Sequence, residues 1–110
     1  MIISKAVAPD ISLIDPTTRT TMDKFLTACT GLDALTQAIE AYVSLGPSPL
    51  TDLHALQAMR LASANLEKSP ARPLNREYRT SIMRGNLEAG LAFSNASVGA
   101  DHAMSKDALF

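Results

Sequence analysis

The chain has no tryptophan, only five aromatic residues in 110 and a single cysteine. Cys29 alone cannot form an internal disulfide, so a reducing compartment is its natural home. No apolar run approaches the roughly 20 residues that a helix needs to cross a bilayer. Met1-Ile2-Ile3-Ser4-Lys5 is too short and too weakly apolar to be read as a signal peptide. A cytoplasmic protein with no membrane partner is therefore expected. An excess of either charge is also missing, because 10 basic residues against 11 acidic ones give a net charge of -1. No cluster of lysines and arginines offers a footprint for nucleic acid or an anionic membrane. Gly-x-Gly-x-x-Gly, the Walker loop, Gly-x-Ser-x-Gly and paired Cys-x-x-Cys are all absent. That excludes the common nucleotide cradles, the nucleophile elbow and thiolate metal clusters from these residues.

What is there is the composition of a folded domain. Apolar residues make up 46% and charged residues 19%, which favours a single globular core over disorder. Up to about Asp15-Pro16, short apolar groups alternate around Pro9 and read as one or two extended segments. From Thr20 onward the pattern is helical. Thr30 suits an N-cap, with Asp33 three residues on as its capping-box partner. The helix this predicts, 30–44, places Ala34, Leu35, Ala38, Ile39 and Tyr42 at three- and four-residue steps. Gly46 suits the helix stop, Ser48 the next cap and Pro49 the next first turn. The second helix, 49–67, carries Ala55, Met59, Ala62 and Leu66 on one face. Pro70 and Pro73 bracket a break. A third helix, 74–93, aligns Tyr78, Ile82, Ala89 and Phe93. Gly85 and Gly90 each cost such a helix about 1 kcal/mol against alanine, so each is expected to mark a close helix crossing. Small residues at 94–99 then lead to a further helix-like segment around His102. The fold class is all-α, a helical bundle with a short strand-like lead-in.

Four features could carry chemistry. Asp33 and Gln37 are four apart and share one helix face. A carboxylate and an imidazole at that spacing chelate a metal ion, but glutamine is a poor ligand, and the plainer reading is that Asp33 only caps its helix. His102 follows a small-residue turn, where a histidine serves as a metal ligand or an acid–base group, or else sits at an ordinary boundary position. His54 has no partner that the sequence reveals, which points to packing or solvent. Cys29 adjoins the Thr30 cap, where a helix N-terminus would acidify a thiol, but a buried small hydrophobe is the plainer reading.

One stretch narrows these alternatives. Thr30-Gly31-Leu32-Asp33-Ala34-Leu35-Thr36-Gln37-Ala38-Ile39-Glu40-Ala41-Tyr42-Val43-Ser44 resembles the signature of iron-dependent alcohol dehydrogenases, in which Thr-Gly-x-Asp-Ala-Leu-Thr-His-Ala-Ile-Glu is typical. Leu13-Ile14-Asp15-Pro16, Pro47-Ser48-Pro49-Leu50-Thr51-Asp52 and Ala92-Phe93-Ser94-Asn95-Ala96-Ser97-Val98-Gly99 with His102-Ala103-Met104 are similar to further family segments, in the same order. The resemblance implies an α/β domain that binds NAD or NADP and a helical domain that holds iron, or sometimes zinc, through one aspartate and three histidines. The metal polarises the oxygen of a small alcohol or aldehyde while hydride moves to or from the nicotinamide. By position Asp33 matches the aspartate ligand and His102 a histidine ligand. Residues 1–19 correspond to the end of the nucleotide-domain lead-in, and 20–110 to part of the helical metal-binding domain.

The departures from the family pattern matter as much. Gln37 occupies the place of the first histidine ligand. Lys106 stands where the family usually has a pocket histidine, Asp101 replaces an apolar neighbour and Asp23 replaces a proline. The resemblance covers about a third of a family chain, without the nucleotide motif or the last histidine ligand. Two expectations follow. One is a fragment of an NAD(P)- and metal-dependent alcohol dehydrogenase that binds neither iron, zinc nor NAD(P) alone and is inactive in isolation. The alternative is a non-catalytic helical interaction module derived from the family. Outward apolar faces in either case lead to an expectation of a homo-oligomer or of marginal stability.

Overall fold

A computed structural model of the chain describes residues 11–19, 21–66, 68 and 75–96. A short 3₁₀ helix, Pro16–Arg19, precedes three α-helices: α1 (Lys24–Tyr42), α2 (Pro49–Asn65) and α3 (Arg76–Ala96). Each α-helix packs on both others, and the 3₁₀ helix packs against α3. The all-α class is as the sequence predicts, and no strand occurs among the described residues. Of the lead-in, residues 11–15 have no regular structure; the rest of it lies outside the described residues. Asp15 ends this stretch, its carboxylate accepting from the Thr17 backbone N–H at 2.9 Å and from the Thr17 hydroxyl at 2.7 Å. Those two bonds, the backbone one first, hold its carboxyl below the ordinary value.

The three helices meet on small side chains. Ala34, Ala38, Ala58 and Ala89 form one buried cluster. Ala41, Ala55, Ala92 and Ala96 form a second, with Phe93 against it, and Met59 packs on both. A core lined by methyl groups brings helix axes close together, which explains Gly85. A Cβ there would stand 3.4 Å from Leu61 Cβ and 3.7 Å from both Ala58 O and Ala62 N, the backbone of α2. Gly90 has nothing within 4 Å of the same hypothetical atom. Only the first glycine marks a crossing, and the expectation for Gly90 is corrected.

Helix α1 begins six residues before the predicted Thr30. Its N-cap is Asp23, whose carboxylate accepts from Leu26 N at 2.9 Å. Thr30 is mid-helix and donates its hydroxyl to Thr27 O at 3.2 Å. Asp33 therefore caps nothing, and the capping-box reading is overturned. Thr27 and Thr30 fit inside the helix because their hydroxyls bond back to carbonyls three or four residues earlier. Cys29 is exposed rather than a buried hydrophobe, and it sits inside α1, away from the helix terminus. The C-terminal stop is Val43, whose N–H donates to Ile39 O at 3.0 Å; Gly46 lies beyond it in the connecting turn.

Helix α2 starts as predicted. Ser48 accepts from Thr51 N, Thr51 Oγ1 accepts from Ser48 N, and Pro49 occupies the first turn. Helix α3 opens on Asn75, whose side chain accepts from Tyr78 N at 3.2 Å, and it runs three residues past the predicted Phe93 to Ala96.

The buried stripe of α1 is Thr27, Gly31, Ala34, Ala38 and Ala41. Its opposite face carries Phe25, Leu32, Ile39 and Val43, exposed at 80%, 54%, 45% and 69%. Spacings of seven and four put these four on one stripe. Most of the larger apolar residues of this helix thus point away from the three-helix core, and Ile39 and Tyr42 are exposed rather than buried as their periodicity suggests.

Candidate metal centre

Asp33 sits in the third turn of α1, exposed, on the side of the helix turned away from the Ala34–Ala38 packing line. Gln37 is one turn on and half-buried. The helix brings the two together: Gln37 Nε2 donates to Asp33 Oδ2 at 3.0 Å. Two oxygens cannot share that contact without repulsion, so beside a carboxylate the amide must present its nitrogen. The site's carboxylate is thereby met by N–H protons on the side from which a four-residue chelate would bind a cation. As a donor set for iron this pair fits poorly. It offers one carboxylate already accepting a hydrogen bond and one neutral amide, where the metal favours imidazole. His102, Asp101 and Lys106 lie outside the described residues, so Asp33 is the one sequence-predicted ligand that the structure describes. Among the described residues, no group of three or more histidines, cysteines, aspartates and glutamates is placed to hold a metal ion.

Two polar contacts escape the sequence reading. His54, for which the sequence reveals no partner, faces Glu88 across the α2–α3 interface, with Nδ1 and Oε2 2.6 Å apart and both side chains half-buried. Thirty-four residues separate the pair, so no local pattern joins them. Arg79 is 2% exposed. Its guanidinium donates to Thr27 Oγ1 at 3.1 Å and to Met22 O at 3.3 Å, tying α3 to the start of α1. A sequence signal for it exists: Arg79 continues the Ile82–Ala89 line one turn back, onto the buried face. Neither contact involves Asp33 or Gln37.

The model for the Fe-containing alcohol dehydrogenase family, C-terminal, matches residues 27–108. The chain belongs to that family. The chain is also similar to whole enzymes across most of its length. Against the 1,3-propanediol dehydrogenase of Klebsiella pneumoniae it is 42% identical over 104 residues, 94% of this chain and 27% of that protein. Against the NAD-dependent methanol dehydrogenase of Bacillus methanolicus it is 38% identical over the same shares. Among solved structures, the iron-containing alcohol dehydrogenase from Thermococcus thioreducens superposes with a TM-score of 0.92 at 34% identity, covering 97% of this chain and 28% of that one. The chain thus spans about a quarter of the length of the curated dehydrogenases it matches. No helix among the described residues is long and apolar enough to cross a membrane.

Proposed function

We propose that residues 20–110 are part of the metal-bearing helical domain of an NAD(P)-linked alcohol or aldehyde oxidoreductase, and that residues 1–19 are its lead-in from the nucleotide-binding domain. The observation that carries this reading is the family match over 27–108, which begins at the buried Thr27 in the first turn of α1 and takes in the rest of that helix and all of α2 and α3. In the whole enzyme, hydride passes between a small alcohol and the nicotinamide. The contribution of this stretch is to hold Asp33 on the exposed side of an alanine-packed unit. Asp33 and His102 correspond to two ligand positions of the family, and Gln37 to a third that has lost its imidazole. Sequencing the gene on both sides of these residues tests the reading. A continuous frame with a glycine-rich nucleotide motif upstream and a further histidine downstream is expected; stop codons or unrelated domains on both sides would contradict it.

A second reading, a non-catalytic helical module kept for an interaction surface, draws on one observation: the exposed stripe Phe25, Leu32, Ile39 and Val43 of α1. The same gene sequence separates the two readings, because a module needs no nucleotide-binding domain in frame.

A further inference from the structure

We infer that Gln37 closes the Asp33 ligand position, so that this chain does not take up iron or zinc through Asp33. The inference rests on reading Asp33 as the family's carboxylate ligand. A histidine four residues after an aspartate on a helix turns a lone pair toward the same point in space as the carboxylate, and a cation completes the pair. Glutamine reverses the sense of that contact. Its Nε2–H donates a hydrogen bond to Asp33 Oδ2 at 3.0 Å, so the oxygen facing Gln37 is already engaged by the chain itself. A cation approaching both side chains has to break this bond and rotate the amide so that Oε1 faces inward. What it gains is a neutral carbonyl oxygen, a weak ligand for iron or zinc beside imidazole. Local geometry supports the closed state. Both residues lie within the unbroken helix α1, and Asp33 is not committed to a cap, since Asp23 fills that role. His54 is held by Glu88 on another interface, and among the described residues no group of three or more histidines, cysteines, aspartates and glutamates is placed to hold a metal ion.

The test uses the full chain and four forms of it: unmodified, Asp33→Asn, Gln37→His and the double variant Asp33→Asn/Gln37→His. Cobalt(II) is titrated with visible absorption as the readout, and zinc competes in a second titration. Circular dichroism establishes that each form is folded. The expected result is weak cobalt binding by the unmodified chain that Asp33→Asn leaves unchanged. Gln37→His is expected to tighten binding at least about tenfold, no less than the effect of altering an outer-shell partner of a metal ligand, and the double variant to lose that gain. A tight equivalent of metal on the unmodified chain that disappears in Asp33→Asn would overturn the inference while upholding Asp33 as a ligand. No gain in Gln37→His would overturn it too. A gain that survives in the double variant would overturn it differently, by showing that Asp33 is not the ligand position.

Discussion

A methyl group added at Gly90 meets nothing within 4 Å, whereas at Gly85 the neighbouring backbone of α2 is already at van der Waals distance. The two glycines sit five residues apart on one helix, and their substitutions are expected to have opposite signs. Gly90→Ala stabilises by up to about 1 kcal/mol through helix propensity alone. Gly85→Leu forces α2 and α3 apart and destabilises by about 2 kcal/mol or more. Urea unfolding followed by circular dichroism measures both. Sequence periodicity gave the two glycines the same meaning because it counts positions and not the distance to a neighbour. Arg79 makes a similar point. Its burial depends on Thr27 and Met22, fifty-two and fifty-seven residues away. Replacement by methionine keeps the volume but removes hydrogen bonds from a charged donor, at an expected cost of about 2 kcal/mol in the same unfolding experiment.

At the level of the helices, α2 was legible from end to end of its first turn, because Ser48, Pro49 and Thr51 satisfy one another locally. Helix α1 was not, because Thr30 has the chemistry of a cap and only packing shows that the helix begins earlier. Thr27 and Gly31 are buried against the other helices, so the chain has to be helical there, and Asp23 is the first side chain able to cap what results. Asp23→Ala is expected to cost about 1 kcal/mol, and Thr30→Ala to be nearly neutral; a larger effect at Thr30 would restore it as the cap. The α2–α3 contact carries the His54–Glu88 bridge, which no local pattern could announce. Glu88→Gln keeps the shape and removes the charge facing His54, with an expected loss of about 1 kcal/mol, read as a lower midpoint of thermal unfolding. The candidate site divides the same way. The Asp33–Gln37 contact follows from helical spacing and was readable in advance, while His102 lies outside the described residues.

Across the whole molecule, the small residues of α1 pack inward and the large ones point out. A helix with two such faces is built to lie between layers, and the matched stretch is 27% of the Klebsiella dehydrogenase and 28% of the Thermococcus one. With Phe25, Leu32, Ile39 and Val43 uncovered, the chain by itself is expected to self-associate. Light scattering should show this, with Leu32→Glu/Ile39→Glu reducing the apparent mass. The central claim, that this chain is equivalent to a defined quarter of an iron-containing alcohol dehydrogenase and impaired at Gln37, is tested most directly in a chimera. The matched quarter of the Klebsiella propanediol dehydrogenase is replaced by this chain, either unmodified or carrying Gln37→His and Lys106→His. Both chimeras are expected to fold, and only the form carrying the two histidines is expected to hold about one metal per subunit and oxidise propanediol. Failure of both to fold, or a folded histidine form that remains metal-free and inactive beside an active parent enzyme, would contradict the claim.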